Sequence, residues 1–260
     1  MRTLVFDIWG EWGHFRKYYS TSSPLTFSVL PPSTAHGILG AILGLSKENN
    51  KYLTILKEAH TRIGIGLIHP VKKIMFGLNL INTKGNVWVP KQRREGERTQ
   101  IRTEFLKDAR YRLFVSMDDQ VLYNKLLSHI QQHKTYYTVS LGLSELLANF
   151  QFVDEIDSCL KKSTGEPVEM HTIVPLSLIQ HKGIRIQTGK RYKKERLPID
   201  MDDNRIVSAY EECLFDMNGQ TIEADVAYYY EGTGNNGTIY RYVFLNERHL
   251  DNVAQKGVVL

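Results

Sequence analysis

The chain has 260 residues, 42% of them hydrophobic, and a formal net charge of +5. This length allows one large or two small domains with a real core. The longest apolar run, residues 37–45, is too short to span a bilayer, and the first residues lack a signal-peptide pattern. Cys159 and Cys213 lie far apart without a Cys-x-x-Cys motif, which favours two buried thiols over a zinc site. We therefore expect a cytoplasmic protein without metal, cofactor or membrane contact.

Strands and helices alternate in the elements predicted for the first half. They are a strand over 3–8, a helix over 33–45 capped by Ser33 or Thr34, a helical stretch over 51–60, an extended stretch from residue 62 to residue 81, a strand over 111–115, a helix capped by Asp118, and a strand over 150–156. This order, β-α-β-β-α-β, predicts an α+β fold of the ferredoxin-like type that RNA-recognition domains share. We expect this domain to occupy residues 1–157.

The remainder, residues 158–260, reads as a small β-rich domain. Two hairpins are predicted, one around residues 181–183 and one around the Gly-rich turn at 232–237, where Asn236-Gly237 is a strong turn signal. Tyrosines alternate along the strands of the second hairpin. We interpret them as half-buried sheet residues, although a stacking surface is the alternative.

Positive charge is concentrated in two segments of the chain. Residues 72–112 hold eleven Lys or Arg against four Asp or Glu, and residues 182–196 hold seven against one. The rest of the chain is therefore net negative, a distribution typical of a nucleic-acid groove. The first segment also contains the unusually long link between the second and third strands. We predict that it forms a basic hairpin arm over about 72–112 that contacts a partner; a solvated hairpin is the alternative.

The helix predicted near Ser33 carries glycines at 37, 40 and 44. Each glycine inside a helix costs about 1 kcal/mol relative to alanine. Their presence indicates a close backbone approach, either to another element or to a phosphate at the helix start. Arg16 and Lys17 come shortly before this helix and could converge on the same phosphate.

Three blocks of sequence resemble the Cas-five family, the subunits of type I CRISPR surveillance complexes (Cascade) that bind the RNA handle. They are WGEWGHFRK (9–17) with VLPPSTAHGILGAILG (29–44), RTEFL (102–106) with ARYRLFV (109–115), and SLGLSELLA (140–148). Within this family, the sequence is most similar to the type I-B branch. The resemblance covers residues 1–150 and implies a non-catalytic subunit in antiviral defence.

The resemblance also implies an RNA site and a set of partners. It implies that helix one and the loop before it line the groove for the 5′ handle of the CRISPR RNA, and that the arm grips the guide. The site residues are Arg16, Lys17, Ser33, Thr34, His36, Gly37, Lys91, Arg93, Arg94, Arg98 and Arg102. A second basic patch comprises Lys190, Arg191, Lys193, Lys194 and Arg196. The implied partners are the CRISPR RNA, a Cas-seven backbone subunit, a large Cas-eight subunit and, in the assembled complex, target DNA.

Two other functions remain open at this point. Some relatives cut precursor guide RNA without metal, which needs a base, an acid and cations at the phosphate. The side chains available for this are His14, His36, Tyr18 and Tyr19, with His171 and His181 from the second half. No Lys-His dyad is evident, so we assign no catalytic residue. The other alternative is a general RNA-binding protein outside CRISPR.

Overall fold

The computed structural model describes residues 1–20, 22–81 and 98–247 as an α+β fold of mostly antiparallel sheets and few helices. The helices are α1 (Pro32–Leu43), α2 (Lys51–Glu58) and α3 (Gln120–Gln131), with short 3-10 helices at Glu48–Asn50 and Leu176–Leu178. The strands are β1 (Arg2–Gly13), β2 (Arg62–Leu67), β3 (Lys72–Ile81), β4 (Arg98–Ser116), β5 (Asn149–Lys162), β6 (Val168–Met170), β7 (Val174–Pro175), β8 (Ile179–Arg185), β9 (Tyr192–Met201), β10 (Val207–Asp216), β11 (Ile222–Val226), β12 (Tyr228–Thr233) and β13 (Ile239–Tyr242).

The main sheet has the strand order β13-β12-β5-β1-β4-β2, and β3 pairs with the outer part of β4. β1 is central and is buried on both faces because its side chains alternate between two clusters. Leu4 and Phe6 pack into the large core that α1 and α3 complete. Val5, on the other face, packs with Phe114 and Tyr242 in an aromatic cluster. The second half of the chain therefore supplies the cover for one face of this sheet.

Three predicted boundaries in the first half differ from the structure. Residues 9–13, beyond the strand predicted over 3–8, continue β1, and a Cβ at Gly10 in this stretch would lie 2.9 Å from the backbone oxygen of Leu147. The N-cap of α1 is Pro31, without a side-chain cap, rather than Ser33 or Thr34. The N-cap of α3 is Asp119 rather than Asp118.

The predicted boundary at residue 157 falls inside β5. This strand pairs with β1 through Arg2–Trp9 and then with β12 through its last residues, 158–162. Leu197 and Phe215, from the second half, belong to the same core cluster as Leu4. The two-domain division itself stays a prediction about folding.

The second half contains two further small sheets, β7-β10-β9 and β6-β11-β8. The hairpin predicted around 181–183 is wrong, because β8 runs through these residues and pairs with β11. The hairpin of β12 and β13 is confirmed, with Tyr230 opposite Tyr242. Both tyrosines are buried, which favours the structural interpretation of the tyrosine pattern.

The two cysteines differ: Cys213 is buried as expected, but Cys159 is exposed.

β3 and β4 form a long antiparallel ladder from Lys72 opposite Lys107 to Ile81 opposite Arg98. Beyond residue 107, β4 leaves β3 and pairs with β2 instead. At this junction, Asp108 adopts a left-handed backbone conformation, with φ of 53°. β4 therefore runs continuously from the arm into the core of the sheet, and Asp108 is the point at which its partner changes.

Candidate nucleic-acid interface

The start of α1 lines a groove of about 350 Å³. Ser33, Thr34 and Gly37 form one wall, and Ser140 and Gly142 contribute to another. Gly142 is required there, because its φ is 102° and a Cβ would lie 1.8 Å from the backbone oxygen of His14. The groove therefore joins two of the sequence blocks that carry the family resemblance.

The three glycines of α1 have different surroundings. A Cβ at Gly40 would lie 3.2 Å from Tyr52, so Gly40 permits close packing against α2. Gly44 is the C-cap, with φ of 72°, and a Cβ there would lie 2.5 Å from the ring of Tyr136. A Cβ at Gly37 would meet nothing within 4 Å. Packing therefore accounts for Gly40 and Gly44, but not for Gly37.

His36 lies apart from the other predicted residues of α1. It lines a second cavity with Lys57, His60 and Asp200, and its Nδ1 lies 2.9 Å from the carbonyl oxygen of Pro32. Burial lowers the pKa of His36, although the Pro32 carbonyl and Asp200 oppose this shift. The neutral imidazole is thus favoured, and His36 is not a cation of the groove.

Arg16 and Lys17 do not converge on one phosphate site. Lys17 Nζ donates to Glu195 Oε1 at 2.6 Å, and both side chains are largely buried. Burial alone would lower the pKa of Lys17, but its bonds to Glu195 and Tyr19 raise it overall. Arg16 is exposed, and its Nη2 donates to the carbonyl oxygen of Ser20 at 3.2 Å. Only Arg16 is therefore presented to solvent.

Carboxylates neutralise much of the positive charge at the base of the arm. The closest pairs are Lys72–Asp108, Lys73–Glu104, Arg110–Asp7 and Arg112–Asp7. Asp7 is only 2% exposed and accepts from both arginines. These cations stabilise the fold, a role that the count of charges in the sequence did not reveal.

The described outer part of the arm presents Arg98 and Arg102, both exposed. They share a face because they are separated by an even number of residues on β4. Among the described residues, neither forms an ion pair with a carboxylate. Lys91, Arg93 and Arg94 lie outside the described residues.

The opposite face of the arm is apolar. Leu80 and Ile101 point to this side, as does Phe76, which is 41% exposed. Phe76 packs edge-on against Trp12, with ring centroids 5.0 Å apart. The sequence predicted a basic arm that contacts a partner; in the structure the arm also has one apolar face, and its base is anchored on β1.

The second basic patch lies on β9 and the turn before it. Three of its members have partners within the fold: Lys190 donates to the Thr221 carbonyl, Lys193 to Ser28, and Lys194 to Glu212. The backbone N–H of Arg191 donates to Asp216, while its side chain is exposed. Arg196 is exposed and lies over the ring of Tyr210, 4.9 Å from its centroid.

The contact of Arg196 with Tyr210 was missed from the sequence. Tyr18 also contacts Tyr210, with ring centroids 5.0 Å apart, and Tyr19 contacts Tyr18. Exposed tyrosines next to arginines in a basic chain are a signal for such contacts between aromatic and cationic side chains. However, Tyr18 and Tyr210 are too far apart in sequence for their spacing to reveal that they touch.

The histidines considered for RNA cleavage are dispersed. His14 is 4% exposed, and its Nδ1 lies 2.7 Å from the carbonyl oxygen of Glu104. Burial lowers the pKa of His14 and also that of His171, which lines a separate cavity with Arg112. His181 is exposed on β8. The structure does not bring these side chains together with His36.

Residues 1–20, 22–81 and 98–247 contain no group of three or more His, Cys, Asp or Glu side chains placed to hold a metal ion. No helix found in the described part of the chain has the length and hydropathy of a membrane span.

Comparisons with known structures show the fold. The chain is similar to a CRISPR protein from Archaeoglobus fulgidus, with a TM-score of 0.53 and 16% identity over 93% of this chain and 99% of that one. It is also similar to a chain of a CRISPR RNA-guided surveillance complex, with a TM-score of 0.47 and 10% identity over 86% and 92%. The latter score is too low to carry an argument.

Comparisons with known sequences show the family. No curated protein matches the chain. Residues 3–207 match the family model described as CRISPR-associated protein (Cas_Cas5). This match includes all the residues that line the groove at α1, both strands of the arm and the second basic patch. Because it spans well over half of the sequence, the chain belongs to the CRISPR-associated Cas_Cas5 family.

Proposed function

We propose that this chain is a non-catalytic subunit of a type I CRISPR Cascade complex, of the I-B branch, that binds the 5′ handle of the CRISPR RNA. In this role it caps the backbone filament beside a Cas-seven subunit and docks a large Cas-eight subunit. The guide RNA selects the target DNA by base pairing. Family membership and the groove at the start of α1 support this proposal.

We propose further that the core is ferredoxin-like. The strands β5-β1-β4-β2 are neighbours in this order and all pairs are antiparallel. α1 connects β1 to β2, and α3 connects β4 to β5, which gives the β-α-β-β-α-β sequence of elements. In this arrangement β3 is an addition to the core, belonging to the arm.

Gly37 is the observation that best supports RNA binding at α1. Its Cβ position faces open space in the groove, next to Ser33 and Thr34 in the first turn of the helix. Helix N-termini attract phosphates through the helix dipole; in α1 the dipole is the main contribution, because Pro31 and Pro32 have no N–H and those of Thr34 and Ala35 donate to the Pro31 carbonyl. A glycine there allows an RNA backbone to approach the helix closely, at a cost in helix stability of about 1 kcal/mol relative to alanine.

The test uses Gly37→Leu, which fills the groove without displacing any protein atom near the Cβ. We expect handle-RNA affinity, measured by fluorescence anisotropy in EDTA, to fall at least tenfold while the unfolding free energy does not fall. Val121→Leu is the matched control, because it places the same side chain on an exposed position of α3. Unchanged handle binding by Gly37→Leu would contradict the groove assignment.

The RNA in this assay is a CRISPR repeat, full length or cut to its 5′ handle, with a scrambled oligonucleotide for comparison. We expect the wild-type chain to prefer the handle and to leave the full-length repeat intact. Site-specific cleavage in EDTA would instead support the endoribonuclease alternative. Equal affinity for handle and scrambled RNA, with a steep salt dependence, would support a general RNA-binding protein.

A further inference from the structure

An exposed cluster of aromatic and cationic side chains lies where the segment after β1 meets the β9–β10 hairpin. We call it the tyrosine–arginine cluster, comprising Tyr18, Tyr19, Tyr210 and Arg196. Tyr18 contacts both other rings, with centroids 5.1 Å from Tyr19 and 5.0 Å from Tyr210. Arg196 covers Tyr210 at 4.9 Å. Three rings and a guanidinium group thus form one continuous surface.

Two of the three rings of this cluster are more exposed than packing would explain, while Tyr210 is half-buried. Tyr18 is 55% and Tyr19 58% exposed. Buried tyrosines elsewhere in the protein bond through their hydroxyl groups, as Tyr242 does to Thr3 and Ser158. The cluster therefore presents large ring surfaces to solvent rather than filling the core.

The base of the cluster is fixed by buried polar contacts. Lys17, the neighbour of Tyr18, donates to Glu195, the neighbour of Arg196. The other oxygen of Glu195 accepts from the backbone N–H of Ser28 at 2.7 Å. These bonds join the segment after β1 to β9 at residues adjacent to Tyr18 and Arg196, so the two segments that carry the cluster are held together without a ligand.

We propose that the tyrosine–arginine cluster stacks an unpaired base of single-stranded RNA. Aromatic rings stack on every base, and an arginine beside them contacts the base or its phosphate. Arg16, which is exposed two residues before Tyr18, adds a second cation on the same segment. This proposal rests on the proposed function, since the ligand is an unpaired nucleotide of the RNA that the α1 groove holds.

The experiment couples a change in the protein to a change in the RNA. The probes are handle RNAs in which one nucleotide at a time is abasic, titrated against the wild type and Tyr18→Ala. We expect Tyr18→Ala to weaken binding of intact handle RNA about tenfold. One abasic position, at the nucleotide whose base stacks on the cluster, should weaken wild-type binding by a similar factor. The same abasic position should have little further effect on the affinity of Tyr18→Ala. Tyr18→Phe, which keeps the ring, should bind as the wild type does.

Tyr137→Ala is the matched control for this experiment. Tyr136 and Tyr137 form another exposed pair, 68% and 50% exposed, with rings 5.0 Å apart. Among the described residues, no Lys or Arg lies over either ring. We expect Tyr137→Ala to bind intact and abasic handle RNA with the affinity of the wild type. Denaturant unfolding of each variant separates loss of binding from loss of folding.

Failure of this inference is distinguishable from failure of the proposed function. A wild type that prefers the handle, with a Tyr18→Ala variant that binds equally well, overturns the stacking site and leaves the proposed function intact. If every abasic position weakens the binding of both proteins equally, the stacking site is likewise overturned and the proposed function is left intact. A wild type without handle preference, but with coupling between Tyr18 and an abasic position, overturns the proposed function and retains the stacking site.

Discussion

Lys17 and Arg16 are neighbours in the sequence, but their side chains lie in different environments. The Lys17 ammonium forms a buried ion pair with Glu195, whereas the Arg16 guanidinium group is exposed. A buried pair that loses one partner leaves an uncompensated charge, while an exposed cation contributes little to stability. The two residues, both predicted from the sequence as RNA contacts, therefore have different roles.

We expect Lys17→Met to lower the unfolding free energy by about 3 kcal/mol, because the buried Glu195 carboxylate keeps only the Ser28 N–H and the more distant Lys193, at 3.7 Å. Arg16→Ala should leave this free energy within about 0.5 kcal/mol of the wild type and should weaken handle-RNA binding instead. Urea unfolding and fluorescence anisotropy measure the two effects. A stable Lys17→Met variant with lost RNA binding would restore Lys17 as a direct RNA contact.

The same ion pair predicts how stability depends on pH. Burial would raise the pKa of Glu195, but the bonds from Lys17 and Ser28 lower it below 4.5 overall. The unfolded chain therefore takes up a proton at Glu195 at higher pH than the folded chain does. The stabilisation is complete above pH 4.5 and is lost as the pH falls through the lowered pKa.

We expect Glu195→Gln to remove this part of the acid dependence. In urea unfolding, Glu195→Gln should have a lower unfolding free energy than the wild type at pH 6. Between pH 6 and pH 3, it should lose less of this free energy than the wild type does. Glu212→Gln is the control, because its pair with Lys194 is exposed on both sides. Identical acid profiles for Glu195→Gln and the wild type would contradict the assignment.

The helices and strands that the sequence predicted correctly are those with a regular apolar periodicity. α1 and α2 lie close to their predicted ranges, and the β12–β13 hairpin was indicated by its Asn236-Gly237 turn. β9 was missed from the sequence. Its buried position 195 holds a glutamate instead of an apolar residue, so the alternation of Glu195 with exposed Lys194 and Arg196 does not look like the apolar alternation of a strand. A buried charge that depends on a distant partner leaves no pattern in the local sequence.

The candidate site, like the secondary structure, was predictable from the sequence only in part. Ser33, Thr34 and Gly37 were predicted and do line one groove. The contact of Tyr18 with Tyr210 was not, because contacts between distant segments depend on the tertiary fold rather than on local spacing. His36 was assigned to the groove from the family resemblance, but it lines a different cavity, because a helix directs adjacent residues to different sides.

The arm yields a prediction about salt dependence. Arg98 and Arg102 share the polar face of β4, where the described residues offer them no carboxylate partner. Each phosphate contact on single-stranded RNA contributes about 0.7 to the slope of log affinity against log salt concentration. The double variant Arg98→Ala, Arg102→Ala should therefore bind handle RNA more weakly, with a slope smaller by about 1.4.

The control for the arm is Arg185→Ala, which removes an exposed arginine from β8, where it pairs with Glu223. Its RNA affinity and salt slope should equal those of the wild type. An unchanged slope for the double arm variant would show that the described part of the arm does not contact phosphates.

For the whole molecule, the continuous sheet favours one cooperative unit over two domains that fold separately. β5 crosses residue 157, and the Tyr242 hydroxyl donates or accepts hydrogen bonds with Thr3 and Ser158 in the buried aromatic cluster. Leu197 and Phe215 complete the core beneath α1. Removing the second half would expose the apolar face that these residues cover.

We therefore expect a single unfolding transition for the full chain, with tryptophan fluorescence and far-UV circular dichroism coinciding. A fragment of residues 1–157 should fail to fold, as judged by dispersion of its NMR amide signals. A folded fragment, or two separate transitions, would instead support independent domains. A fragment ending at residue 247 is the control for truncation and should unfold as the full chain does.

The base of the arm is held beyond Asp108. β1 pairs with β4 at Lys107 and Leu106, and His14 Nδ1 lies 2.7 Å from the carbonyl oxygen of Glu104. The six described residues of β4 beyond Glu104 extend about 20 Å at about 3.3 Å per residue. A bend of about 10° at this base would move the far end by about 3.5 Å, close to the axial rise of about 3.4 Å between phosphates along one strand of a duplex. If the arm contacts RNA as we propose, the rigidity of its base therefore limits the arm to about one nucleotide of register.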